Sequence, residues 1–292
     1  MLSRLILSQW RMKDFDVGAG LAGRAFDDDG DAADWVEVCA PGDTYLALHA
    51  AGRLPHPFAD QNEAECAWVS RREWWWRGDF TPPPVKASER LTLRFLGLDT
   101  FATIWLNGEV LGETDNMFRA YAYDVTDKVR ADRPNKLGVR FDSPADRLKD
   151  RAPAPFVGAG TLDNKRNLVR KAQFGWGWDW GPGLPTVGLW RPVELTVHGA
   201  ASLDSIHFST LSLTPDHDRA RVRVAVAADI VRAGAYVADI TLSDPDGAVV
   251  ARARAPLEGP NAASTFTLEA PRLWWTHDLG ASSLYTLDVR LM

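Results

Sequence analysis

Thr103-Ile104-Trp105-Leu106-Asn107-Gly108-Glu109-Val110-Leu111-Gly112 is the stretch whose reading decides the fold. Asn-Gly tolerates positive φ at both central positions of a tight turn, and that turn matches the twist of paired strands. Thr103–Leu106 and Glu109–Gly112 are therefore expected to pair antiparallel. Just upstream, Arg90–Leu98 alternates, with Leu91, Leu93 and Phe95 on one face and Thr92, Arg94 and Leu96 on the other. That period of two is a half-buried strand. Phe118–Val125 and Leu137–Phe141 read as two more, separated by the polar piece around Asp127–Asn135.

Earlier in the chain, Leu5–Phe15 and Val36–Thr44 read as strands, the second running into a Pro41-Gly42 turn. Tyr45–Ala51 is apolar and free of turn residues, so a short helix stopped by Gly52 is expected there. Pro55–Glu65 reads as a polar loop. In Glu73-Trp74-Trp75-Trp76-Arg77 the alternation of a strand sends Trp75 away from Trp74 and Trp76, which predicts a core strand with one outward ring. Ser143–Lys171 is long, charged and irregular, the texture of a functional loop.

Past Gly199 the texture changes. Leu203–Leu213, Ala220–Asp229, Tyr236–Ser243, Val249–Ala255, Ser264–Leu268 and Leu284–Leu291 are short alternating segments. Pro215-Asp216, Asp244-Pro245-Asp246-Gly247 and Glu258-Gly259-Pro260 supply turns between them. Such spacing marks a β-sandwich of roughly seven strands. The expectation is all-β, with almost no helix, in two domains, 1–199 and 200–292.

Composition removes several functions. The net charge of -6 argues against nucleic-acid and anionic-membrane partners, which call for a basic face. No apolar run approaches the ~18 residues that span a bilayer. Met1–Trp10 lacks a small-residue cleavage site, so a cytoplasmic location is expected. Cys39 and Cys66 fit no zinc or redox spacing and are expected as buried free thiols. The acidic run Asp27–Asp31 offers a turn glycine, Gly30, but Ala25 and Val36 stand where a calcium loop needs acids, so it reads as a solvated loop. The six histidines are scattered. No phosphate loop or nucleophile elbow is present, and no metal or cofactor is expected.

The chemistry concentrates in Arg170-Lys171-Ala172-Gln173-Phe174-Gly175-Trp176-Gly177-Trp178-Asp179-Trp180-Gly181-Pro182. A period of two would put the three indoles on one side of an extended chain and Asp179 on the other. The interspersed glycines argue instead for a shaped loop. Flat rings beside one carboxylate suit a sugar, whose C–H face stacks on indole while the carboxylate accepts from adjacent hydroxyls. The alternative is a tryptophan plug closing one end of a sandwich, with Asp179 capping a turn. Eleven of the thirteen tryptophans precede residue 200, which sets the two halves apart.

Several motifs together carry a family resemblance. They are Pro41-Gly42-Asp43, Asp60-Gln61-Asn62-Glu63, Trp76-Arg77-Gly78-Asp79-Phe80, Phe95–Ala102, Leu106-Asn107-Gly108 and Asn116-Met117-Phe118. Arg170-Lys171-Ala172-Gln173-Phe174 with Trp178-Asp179-Trp180-Gly181-Pro182 follows, then Leu273-Trp274-Trp275 and Leu284-Tyr285. The chain resembles the N-terminal half of a family 2 glycoside hydrolase of the β-mannosidase branch, and the tryptophan loop is the specific part. The resemblance implies a jelly-roll, galactose-binding-like sandwich followed by an immunoglobulin-like sandwich. It also implies a later TIM barrel holding both catalytic glutamates of a retaining mechanism.

By the same resemblance Asp179 accepts hydrogen bonds from the terminal mannose, Trp178 and Trp180 shape its pocket, and Asn62 stands nearby. The implied partners are a β-mannoside or mannose-containing oligosaccharide and the barrel of the same polypeptide. The sequence departs from the family pattern by ending at Met292, before any barrel, so no catalytic residue is assigned to this chain. Independently, no motif places two carboxyl groups at the ~5–5.5 Å separation that retaining glycosidases use. A stand-alone carbohydrate-binding, lectin-like module is the alternative reading.

Overall fold

A computed structural model describes residues 3–27, 34–86, 89–152, 165–178 and 180–292. Most of the acidic run, and Asp179, lie outside the described residues. The chain divides into two compact units, one built on Ser3–Lys86 and Arg90–Val197, the other on His198–Met292.

The elements of the first unit, in order, are β1 (Ser3–Ile6), β2 (Gln9–Phe15), α1 (Ala19–Ala22), β3 (Val36–Cys39), α2 (Thr44–Ala50) and α3 (Asn62–Cys66). β4 (Glu73–Phe80), β5 (Arg90–Phe95), β6 (Ala102–Leu106), β7 (Glu109–Thr114), β8 (Tyr121–Asp124), β9 (Asn135–Phe141), α4 (Pro144–Leu148) and β10 (Val193–His198) complete it. One sheet has six strands in the order β3-β2-β4-β9-β6-β7, and the other has four, β1-β10-β5-β8. The Asn-Gly hairpin forms as expected: β6 and β7 pair antiparallel, with Asn107 at φ 54 and Gly108 at φ 90.

Between the sheets lies a core that includes Trp10, Met12, Trp74, Trp76, Leu91, Leu93, Phe95 and Ile104. The outward ring expected at Trp75 is a correction. Trp75 does face away from that core, yet it is fully buried. Ala25, Phe26 and Trp35 cover this second face of the six-stranded sheet and enclose Trp75 and Trp105. Phe26 stacks on Trp105 with ring centroids 5.5 Å apart and planes 6° apart. Glu73 ties the cover down: its carboxylate accepts from Trp75 Nε1 at 2.6 Å and from the Gly18 amide at 2.9 Å.

Other boundaries moved for identifiable reasons. Leu5–Phe15 is two strands because the chain changes sheet at Leu7-Ser8, where Trp10 Nε1 donates to the Leu7 carbonyl at 2.9 Å. Phe118–Val125 shortens to β8, since Asn116 Oδ1 accepts from the Phe118 amide and turns the chain first. The supposed loop Pro55–Glu65 ends inside α3. Both cysteines are free, but only Cys66 is buried. Cys39 is exposed because β3 alternates and its odd-numbered positions face out.

The second unit contains β11 (Ala201–Leu213), β12 (Arg219–Ile230), β13 (Val237–Ser243), β14 (Val249–Pro256), β15 (Asn261–Glu269) and β16 (Thr286–Leu291). Two three-stranded sheets, β11-β12-β15 and β14-β13-β16, form an immunoglobulin-like sandwich. Val224, Val226, Ala238 and Ile240 meet in its core. Its turns use the expected chemistry. The Asp244 carboxylate accepts from the amides of Asp246 at 2.9 Å and Ala248 at 2.8 Å, and Gly247 follows at φ 87.

Gly20 tests the covered second face. A Cβ there would lie 2.1 Å from Trp75 Nε1 and 2.7 Å from Glu73 Oε1, both held by packing. Gly20→Ala should destabilise the first unit by about 1–3 kcal/mol in urea titration. Gly23→Ala, whose added methyl meets nothing nearer than 3.4 Å, should be close to neutral.

Candidate functional site

The tryptophan loop is organised from its neck outward. Lys171 and Thr186 stand at its two ends, and both reach Asp99 from the β5–β6 connection. Lys171 Nζ donates to Asp99 Oδ2, to the Thr186 carbonyl at 2.6 Å and to Thr186 Oγ1 at 3.2 Å. The Thr186 hydroxyl in turn donates to Asp99 Oδ2 at 2.7 Å. An ammonium has three protons, so each one has an acceptor. The Lys171 and Asp99 side chains are only 1% and 3% exposed. Burial pushes the Lys171 ammonium below its ordinary range, and the Asp99 carboxylate opposes that push. The Asp99 side chain is the counter-group that this buried lysine faces. Breaking such a pair by removing one partner costs about 3–5 kcal/mol.

From this neck the chain makes a short 3-10 turn, Gln173–Trp176, which drives Trp176 inward. Trp176 packs with Leu148 of α4 and with Val169. Gly177 then reverses the course at φ +87, and a Cβ there would lie 3.0 Å from the Gly183 Cα. Only glycine fits such a position. Trp178 and Gly181 exchange backbone hydrogen bonds, Trp178 N to Gly181 O at 2.9 Å and the return at 3.3 Å. Glu63 of α3 holds the far limb by accepting from the Gly183 amide at 2.6 Å.

The three indoles are thus not equivalent. The one-sided row that a regular strand would give does not form, because the Gly177 turn separates Trp176 from the others. Trp176 is a plug, whereas Trp178 and Trp180 are 49% and 79% exposed. Their ring centroids lie 5.1 Å apart at 38°. The Arg166 guanidinium lies 5.7 Å over Trp178. Asp179 lies between them in sequence and outside the described residues. Asn62 begins α3 half-buried, with its side-chain amide donating to the His56 carbonyl at 2.9 Å. Its neighbour Glu63, not Asn62, makes the bond to the loop.

Beside the loop runs a cleft of about 700 Å³ with Tyr45, Leu46, Phe58, Phe174, Leu184 and Trp190 among its apolar walls. Asp43, Asp99, Lys171 and Thr186 supply its polar groups. Asp43 caps α2, its carboxylate accepting from the Leu46 amide at 3.1 Å. Burial raises the Asp43 carboxyl above the usual range, and the amides of Leu46 and Tyr45 draw it back. A hollow of about 840 Å³ on the second unit is larger. It is an open saddle over Ala225, Ala227 and Ala263 between Arg223 and Arg254, and with His207 its one aromatic side chain and Glu258 its one acid it reads as surface relief.

Residue types and spacing singled out Trp178, Asp179 and Trp180, the family resemblance added Asn62, and neither gave a role to Asp99, Thr186, Glu63 or Arg166. Lys171 stood in the quoted motif with no role attached. The only available signal was a lysine next to an apolar loop with no acid near it in sequence.

Comparison with known proteins agrees with this architecture. Residues 24–191 match the glycosyl hydrolase 2 galactose-binding domain-like family, and residues 206–292 match glycosyl hydrolases family 2. The chain belongs to glycosyl hydrolase family 2. Its relatives set it in the β-mannosidase branch. It is 37% identical to beta-mannosidase B of Emericella nidulans over 92% of its own length and 32% of that protein's. The Aspergillus niger beta-mannosidase B is 34% identical over 88% of this chain and 31% of its own. The crystal structure of the beta-D-mannosidase from Dictyoglomus thermophilum superposes with a TM-score of 0.84 at 30% identity, covering 99% of this chain and 34% of that one. The chain therefore spans about a third of the length of the relatives it matches.

The plug and the displayed rings should separate in a stability measurement. Trp176→Ala empties a packed site and is expected to cost about 3–5 kcal/mol. Trp180→Ala should change the urea midpoint by no more than about 0.5 kcal/mol equivalent.

Proposed function

We propose that this chain is the non-catalytic N-terminal portion of a retaining β-mannosidase that removes terminal β-D-mannose residues. In this reading its Trp178-Asp179-Trp180 tip lines the terminal-sugar subsite of a barrel active site carried elsewhere in the polypeptide. One observation bears most of the weight. Two indoles are displayed to solvent on a loop whose neck and Trp176 are firmly anchored, an arrangement that core packing does not require. Exposed aromatic faces suit the C–H surface of a sugar. The named β-mannosidase relatives supply the sugar and the linkage class.

In the mechanism that follows, this chain binds and orients, and the acid/base and nucleophilic steps belong to two carboxyl groups outside it. The Asp179 carboxylate accepts from hydroxyls of the terminal mannose, a charge-assisted bond of about 1.5–3 kcal/mol. Trp178 and Trp180 exclude water from that contact and so strengthen it. Asn62 serves at the edge of the subsite.

In the longer polypeptide Asp179→Ala should lower kcat/KM on an aryl β-mannoside by about one to two orders of magnitude with the melting temperature unchanged. Asp179→Asn should lose less if the role is positional, and nearly as much if the negative charge steadies the oxocarbenium-like transition state. Unchanged kcat/KM in Asp179→Ala would remove Asp179 from the subsite. This chain alone should not turn over the same substrate.

A further inference from the structure

We infer that Lys171, acting through Asp99 and Thr186, is a latch that closes the neck of the aromatic loop and sets where Trp178 and Trp180 are presented. The latch is read from this chain, and its consequence for a sugar rests on the function proposed above. Lys171 and Thr186 flank Ala172–Pro185 on either side, so the bond from Nζ to the Thr186 carbonyl joins the two ends of the loop directly. Asp99 fastens that joint to the sandwich. Its own amide donates to the Gly188 carbonyl at 2.9 Å, and the Gly188 amide donates back to the Asp99 carbonyl at 3.2 Å. The three groups belong to separate segments and converge on one buried point.

The tip has few other holds. Among the described residues it keeps the Trp178–Gly181 exchange, the Glu63 bond to Gly183 and the Arg166 contact with Trp178. Glu63 itself is exposed, and so are both displayed indoles. A loop is ordered by fixing its ends, since closure removes most of its freedom. The neck, together with the buried Trp176, therefore carries the order that the tip cannot supply for itself. A buried ion pair is a poor way to gain stability, because apolar residues of like volume do as well. What it does supply is direction, because the ammonium must meet one particular backbone carbonyl. Lys171 is thus a positioning residue, acting on the tip through the neck.

Hydrogen–deuterium exchange of this chain, read by peptide, tests the latch. Lys171→Met alone would leave Asp99 buried without a counter-charge and risks unfolding the sandwich, so both charges are removed together in Asp99→Asn/Lys171→Met. Thr186→Val is the milder variant, which keeps the ion pair and deletes the bridging hydroxyl. Both should speed exchange in peptides covering 172–185, by about tenfold or more in the double variant, while peptides from β4 and β9 keep their wild-type rates. Loop exchange equal to wild type would overturn the latch. So would acceleration shared equally by β4 and β9, which is the result of lost core stability alone. If the double variant does not fold, Thr186→Val decides by the same comparison.

No sugar enters this measurement, so a failed Asp179→Ala test leaves it standing. In the longer polypeptide Thr186→Val should then lower kcat/KM on an aryl β-mannoside by about tenfold, as displaced contacts do. Unchanged kcat/KM beside a loosened loop would overturn the positioning role.

Discussion

Covering both faces of the six-stranded sheet is the constraint on which the first unit depends. β4 runs through that sheet and carries Trp74, Trp75 and Trp76, all essentially without solvent contact. Neighbouring side chains on a strand point to opposite faces, so three consecutive buried indoles demand cover on two sides. The four-stranded sheet covers one side. Ala25, Phe26 and Trp35 cover the other, and Glu73 bonds that cover in place through Gly18 and Trp75. A sandwich with one wet face would have left Trp75 in water, at a cost of about 4–6 kcal/mol, roughly twice that of an ordinary apolar side chain.

Much of this was legible in the sequence because strand alternation and turn chemistry are local. Asn107-Gly108 specified its hairpin, and all six alternating segments after Gly199 became strands. What could not be read is tertiary. Trp75 looked outward because nothing in Ala19–Phe26 announces that it will lie across a sheet. Cys39 looked buried because its exposure depends on the register of β3 against β2. The neck of the aromatic loop escaped for the same reason, as Asp99 and Lys171 are far apart in the chain and their pairing is a product of folding. The loop itself was visible as a composition, and its division into one buried and two displayed indoles follows from a single glycine, Gly177.

The loop combines order and exposure by keeping them at different ends. The neck is dry and hydrogen-bonded, the middle is pinned by Trp176, and the tip faces solvent. Preorganisation of this kind lowers the entropy lost when a ligand arrives, because the groups that will touch it are already placed.

The two anchors of the loop also respond to temperature in the same direction, for different reasons. Trp176 is held by apolar burial, and that hold weakens on cooling. The Lys171–Asp99 neck is held by charge, and the penalty for keeping charges dry shrinks on warming. Cooling therefore weakens both the middle of the loop and its neck, and moderate warming strengthens both. A loop fastened in this way is set for warmth, and its first loosening is expected on cooling rather than on mild heating.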